Sequence, residues 1–224
     1  MPSIVVIGHL AAASKEAKRK LIDALTKVGH YSQAQEPGVV RYAVTVSTDP
    51  QDDLSVYAIE EYADQATVDA HLASDAVQEL IKTFTTETSL FAAPTKVYTT
   101  ETAFSFTRPE SNKASNPYIV FATLDYKDGT RAGAFDGWKA VTSESQNNEP
   151  GTLAYAILKD KDQENTIRTV EVYESEKYLW DVHAKSAAVT NNKAKYGDIR
   201  TNLKFAFLKV VAGYLHKERP SSNL

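Results

Sequence analysis

The stretch Glu36-Pro37-Gly38-Val39-Val40-Arg41-Tyr42-Ala43-Val44 returns as Glu149-Pro150-Gly151-Thr152-Leu153-Ala154-Tyr155-Ala156-Ile157, at an offset of 113 and with five of nine positions identical. The flanks keep that register. Ile4 to Tyr118 is offset by 114, Glu60 to Glu171 by 111, His71 to His183 by 112, and Lys96-Val97 to Lys209-Val210 by 113. An offset that stays this constant over most of the chain marks an internal duplication, and the two copies can be read against each other.

Each copy shows the same order of elements. An apolar run rich in β-branched residues, Ile4 to Leu10 and Tyr118 to Leu124, predicts a first strand. Ser14 caps a helix carrying Leu21, Ile22, Leu25 and Val28 at helical spacing, with Gly29 expected to end it; the counterpart spans Gly133 to Thr142. Glu-Pro-Gly then opens a hairpin, Val39 to Val46 with Leu54 to Tyr62, and again Thr152 to Leu158 with Thr166 to Tyr173. A helical region follows, and a last strand lies near Lys96 to Tyr98 and Lys204 to Val211. The order β-α-β-β-α-β is a ferredoxin-like unit, so the fold class is α+β with two tandem units.

The strands do not alternate. Ile4-Val5-Val6-Ile7, Tyr118-Ile119-Val120-Phe121-Ala122 and Phe205-Ala206-Phe207-Leu208 place apolar groups on both sides of the pleat. A solitary antiparallel sheet leaves one face to water, so the second face needs a cover. The expectation is that the two sheets pack face to face as one barrel within the chain; cover by another chain is the alternative. The expected boundaries are 1–107 for the first unit, 108–116 for a linker, 117–215 for the second unit and 216–224 for a loose tail.

Composition excludes several classes. The 224 residues carry 25 Lys and Arg against 29 Asp and Glu, a net charge of −4, with no basic cluster, which argues against a nucleic-acid partner. No cysteine is present, which removes disulfides and thiolate chemistry. The longest apolar stretch near the N-terminus, Ile4 to Ile7, is too short for a signal peptide or a membrane span, pointing to a protein made in the cytosol. Walker, G-x-G-x-x-G and G-x-S-x-G motifs are absent, and each copy's histidine lacks a second one at metal-ligand spacing, so no cofactor and no metal are expected.

Glu60-Glu61-Tyr62 followed by His71-Leu72-Ala73-Ser74, and Glu171-Val172-Tyr173 followed by His183-Ala184-Lys185-Ser186, resemble the E-x-Y…H-x-x-S pattern of the antibiotic biosynthesis monooxygenase (ABM) family of dimeric α/β-barrel proteins. The resemblance covers nearly the whole chain, and the fused tandem form resembles fungal members. It implies a cofactor-independent monooxygenase of secondary metabolism acting with dioxygen on a small apolar substrate. That substrate would be a polyketide quinol or anthrone, or an oxylipin or fatty-acid derivative. Family habit allows a homodimer of fused barrels. A non-oxidative isomerase, cyclase or decarboxylase on the same scaffold, and a non-catalytic ligand-binding protein, are the rival readings.

His71 and His183 carry the chemistry on this reading. If Ser74 and Ser186 each start a new helix, the preceding piece is short and its histidine shares an inward face with Val68 and Leu72, or with Leu179 and Val182. Each is then either a structural histidine bonded to a carboxylate or carbonyl, or a pocket base able to take a proton near neutral pH. Tyr42 and Tyr155, mid-strand, are core residues or hydrogen-bonding partners in the same site. Glu60 and Glu171 satisfy helix amides or pair with the histidines. Trp138 and Trp180, with Tyr178 and Phe121, either fill the second copy or roof a ligand pocket in it, which favours the second copy as the ligand site.

Overall fold

The structure, a computed structural model, describes residues 2–217. The first repeat folds as β1 (Ile4–Ala11), α1 (Lys15–Gln35), β2 (Val39–Ser47), β3 (Ser55–Tyr62), α2 (Gln65–Ala73), α3 (Asp75–Thr86) and β4 (Lys96–Thr107). The second follows as β5 (Tyr118–Tyr126), α4 (Arg131–Asn148), β6 (Thr152–Asp160), β7 (Thr166–Tyr173), α5 (Glu176–Asp181), α6 (Ala187–Tyr196) and β8 (Arg200–Tyr214). The hydrogen-bonded order is β1-β3-β2-β8-β5-β7-β6-β4, an eight-stranded antiparallel sheet closed into a barrel. Two tandem ferredoxin-like units in an α+β fold therefore stand as read from the repeat. No helix among the described residues is long and apolar enough to cross a membrane.

Both closing strands run further than expected, and this sets the compact units. One unit takes the residues up to Thr99 and those from Lys209 on; the other takes Thr100–Leu208. In the latter, Thr100 to Thr107 of β4 lie against β6, with Thr100 opposite Asp160 and Thr107 opposite Ala154. In the former, the Tyr214 hydroxyl donates to the Val39 carbonyl at 2.9 Å. The 108–116 segment contains a short 3₁₀ turn, Pro109–Lys113, with Ser111 buried.

In β2 and β7 the absence of alternation is explained by burial on both pleat faces, whereas in β8 Phe205 is 52% exposed and Phe207 only partly buried, so that run lacks the expected cover on its second side. Every residue from Val39 to Val46 is buried, as are all eight of β7. On one face of β2, Tyr42, Val44 and Val46 join Leu21, Leu25 and Val28 of α1 in a single apolar cluster. On the opposite face the buried Arg41 lies 3.6 Å from Glu61 and donates to the Leu215 carbonyl. In the second unit the buried Arg168 is matched by Asp160, at 2.5 Å, and by Thr123. These charges are buried with partners, as desolvation demands.

Gly29 does not end α1; the helix continues to Gln35. The glycine serves packing instead. A Cβ at Gly29 would sit 3.0 Å from Cδ1 of Tyr42, so the bare backbone lets that ring lie against the helix without being displaced. The matching helix α4 likewise outruns its expected end at Thr142 and reaches Asn148.

Neither long helix has a basic residue in its last turn, yet each C-terminus is met by a cation from beyond a closing strand. Lys217 Nζ donates to the carbonyls of Ser32 and Glu36, at 2.8 and 2.7 Å. Arg108 donates to those of Ser145, Gln146 and Thr152. Both complement the negative helix end. The start of the expected loose tail is thereby anchored at Lys217, and the rest of it, 218–224, lies outside the described residues.

Candidate functional site

Ser74 and Ser186 break the second helical region as the pattern predicts. Each accepts from the backbone N–H three residues on, Val77 at 3.4 Å and Val189 at 3.3 Å, and each backbone N–H closes onto the carbonyl of its histidine. His71 and His183 point inward, with 3% and 4% exposure, but Leu72 and Val182, expected on the same face, are 48% and 40% exposed, and His183 opens a 3₁₀ turn after α5 instead of lying on the helix.

Each histidine is held by a carboxylate from the Glu-Pro-Gly segment. His183 Nδ1 lies 2.7 Å from Glu149 Oε2, and His71 Nδ1 lies 2.8 Å from Glu36 Oε2. Because an ionised carboxylate only accepts, Nδ1 carries the proton and Nε2 keeps its lone pair in the neutral ring. Supporting hydroxyls recur as well. Ser32 donates to Glu36 at 2.6 Å, Thr152 donates to Glu149 at 2.8 Å, and Ser145 Oγ lies 3.4 Å from His183 Nδ1. Burial alone would push both carboxyls up. The hydrogen bonds from the histidines and hydroxyls outweigh it, and Glu36 and Glu149 are held below their ordinary value.

Glu60 and Glu171 do not satisfy helix amides. Asp64 and Ser175 cap α2 and α5 instead, accepting from Thr67 and Tyr178. Glu60 accepts from the Tyr62 hydroxyl and lies 4.0 Å from His71 Nε2. Glu171 accepts from Tyr173 and Thr169, both at 2.7 Å. Burial, reinforced by the charge of Glu171, raises Tyr155 and Tyr173 well above the usual phenol value, so these hydroxyls are hydrogen-bonding groups and not bases near neutral pH. Tyr155 and Tyr173 stand 5.3 and 5.1 Å, centre to centre, from the His183 ring.

In the second unit a cavity of about 290 Å³ is lined by His183, Tyr155 and Glu171 on one side. Trp138, Val141 and Leu179 from the helices face Val120, Ala122 and Leu124 of β5 across it. The volume lies near the lower end of small-molecule sites, about 300–1,000 Å³. Trp138 is buried and donates to the Tyr126 hydroxyl at 2.8 Å, while Trp180 is half-exposed at the rim against Phe207. Two expected lining residues lie elsewhere. Phe121 falls between Val120 and Ala122 on the other side of the pleat, beside the Arg168 guanidinium. Tyr178 packs on Gly151, where a Cβ would come within 2.4 Å of its ring.

In the first unit, the two cavities described, one beside Phe84 and Phe91 and one between α1 and α3, involve neither His71 nor Tyr42. Tyr42 is fully buried, and its hydroxyl has no hydrogen-bond partner. Glu36, Glu149, Ser32 and Ser145 escaped sequence reasoning, although the duplication carried a signal for them: Ser-x-x-x-Glu recurs at an offset of 113.

The family model of antibiotic biosynthesis monooxygenase matches residues 3–83 and again 117–195. Among solved structures the chain is similar to a candidate monooxygenase from Lactobacillus acidophilus NCFM, with TM-score 0.79 and 17% identity over 97% of this chain and 100% of that one. A second candidate monooxygenase, from Fusobacterium nucleatum, gives TM-score 0.82 and 17% identity, covering 98% and 99%. An anthrone oxidase-like protein gives 0.65 and 15%, covering 99% and 97%. At such identities these likenesses speak for the fold. No curated protein matches the chain. With a family model matching each repeat over most of its length, the chain belongs to the antibiotic biosynthesis monooxygenase family, in tandem form.

Proposed function

We propose that the protein is a cofactor-independent monooxygenase whose working site is the second unit's cavity, and that it oxidises a small, largely apolar aromatic metabolite of the quinol or anthrone kind. The observation that carries this reading is the placement of His183 on the cavity wall with Nδ1 fixed by Glu149. Fixing that tautomer leaves Nε2 as the base, and the buried carboxylate stabilises the imidazolium that forms on proton transfer.

The chemistry follows from an acidic C–H. His183 takes one proton from the substrate methylene, and the carbanion gives one electron to dioxygen. Recombination forms a C–O bond and a hydroperoxide. Loss of the second C–H proton with cleavage of the O–O bond leaves a carbonyl and water, so one methylene and one O₂ give one C=O and one H₂O. The apolar walls hold the substrate flat and keep water from the carbanion. The Tyr155 hydroxyl, kept protonated by burial and hydrogen-bonded to Glu171, lines the cavity beside the base. Membership of the family and the likeness to an anthrone oxidase-like protein support the substrate class.

An oxygen electrode with an anthrone as probe tests the reading. One O₂ consumed per quinone formed is expected. Conversion of the probe without oxygen uptake would replace the monooxygenase by a non-oxidative enzyme, and no conversion would remove the anthrone class.

A further inference from the structure

The second unit's cavity has a polar end that the proposed chemistry does not use. Arg200, Lys193 and Asn192 all line it. The Arg200 guanidinium lies over the Trp138 ring, 5.5 Å from its centre, and its Nε is buried with no hydrogen-bond partner. Among the described residues no carboxylate forms an ion pair with it. Asn192 is 4% exposed, and its Oδ1 has no partner either. Buried polar groups are nearly always satisfied, and the unpaired Arg200 donor at a cavity requires a reason; the Asn192 oxygen is an acceptor that lies against Gly137 of α4 and offers nothing to an anion.

The duplication shows that this polar end is not part of the shared scaffold. When His183 and Ser186 are laid on His71 and Ser74, an offset of 112, Asn192 falls on Leu80, Lys193 on Ile81 and Arg200 on Thr88. Leu80 packs against the first unit's apolar core. The first unit thus builds the corresponding helix with apolar side chains at the positions of Asn192 and Lys193, while Arg200 opens β8 and the offset places Thr88 in a turn ahead of β4.

We infer that Arg200, with Lys193 on the same cavity wall, is an anion subsite, and that the substrate is an aromatic acid whose carboxylate docks there. This rests on the cavity being the ligand site of the proposed function. The planar guanidinium suits a carboxylate through paired N–H donors, and the indole face beneath it fixes its plane. Arg200 and His183 line the same cavity, so a carboxylate held by the guanidinium fixes the aromatic frame within the space that the base also lines.

Isothermal titration calorimetry with 2-naphthoate and its neutral analogue 2-naphthamide tests this. The acid is expected to bind at least about tenfold more tightly than the amide, the scale of one charge-assisted pair. Arg200→Gln should remove most of that preference, read as the ratio of acid to amide affinity with near-UV circular dichroism reporting an intact fold, and Arg200→Lys should retain part of it. Equal affinity for the two probes, an undiminished preference in Arg200→Gln, or binding of neither probe at millimolar concentration would overturn the inference. Oxygen uptake with an anthrone is read separately. An acid preference without oxygen uptake removes only the monooxygenase, and oxygen uptake without an acid preference removes only the anion subsite.

Discussion

His183 Nδ1 and Glu149 Oε2 stand 2.7 Å apart, and the pair is closed on the carboxylate side by the Thr152 hydroxyl. The same pair recurs as His71 and Glu36, but there the carboxylate is less sheltered, its side chain 12% exposed against 4% for Glu149. Glu149→Ala leaves a buried imidazole N–H without an acceptor. A loss of about 1–3 kcal/mol is expected, read as a lower urea midpoint at unchanged slope. Glu36→Ala should cost less, because water can reach the abandoned ring.

Acid stability should carry the signature of these carboxyls. Glu36 and Glu149 are held below their ordinary value in the fold, so their contribution is present above the unfolded value, about 4.3, and is lost as pH falls through the lowered folded values. Glu60 has the opposite sign. Burial raises it against the pull of His71 and Tyr62, so its contribution is present at low pH and is lost as pH rises through the raised folded value. Unfolding midpoints from pH 3 to 7 should therefore fall on the acid side in wild type, fall less in Glu149→Gln, and rise at pH 7 in Glu60→Gln.

Two helical glycines should respond to alanine with opposite signs. At Gly29 the new methyl meets the Tyr42 ring at 3.0 Å, and overpacking of about 1–3 kcal/mol outweighs the gain in helix propensity. At Gly133 in α4 a Cβ finds nothing within 4 Å, and about 0.4–1 kcal/mol of stabilisation is expected. Thermal midpoints of the two variants should move apart from that of wild type.

Lys217→Ala should destabilise the first unit through α1, whose terminal carbonyls lose their donor. The expected cost is about 1 kcal/mol. Hydrogen exchange should show the loosening confined to the last turn of α1 and the start of β2, where the Lys217 N–H also binds the Val40 carbonyl.

What could be read from the sequence divides along the reach of the forces involved. The repeat register, the element order and the break at Ser74 and Ser186 were legible, because strand runs, caps and helical spacing are local. The inward turn of both histidines was read from that break, but the exposed Leu72 and Val182 do not share it. The partners of the histidines were not legible, since Gly29 reads locally as a stop. Its role depends on the ring of Tyr42, thirteen residues on, and a helix ended at Gly29 would never bring Ser32 and Glu36 to His71. Arg200 and Asn192 were missed for a similar reason. One opens a strand, the other lies mid-helix, and only packing against Trp138 and β5 brings them to a common cavity.

The central claim is a division of labour between two histidines in like settings, with the chemistry assigned to His183 on the wall of the second unit's cavity. The direct test is oxygen uptake with an anthrone by His183→Ala and His71→Ala, alongside the urea midpoint of each. Both variants should lose comparable stability, since each abandons a carboxylate, while only His183→Ala should lose oxygen uptake, by about 100-fold or more as expected for removal of a general base. Full oxygen uptake in a folded His183→Ala protein, or its abolition in a folded His71→Ala protein, would contradict the account.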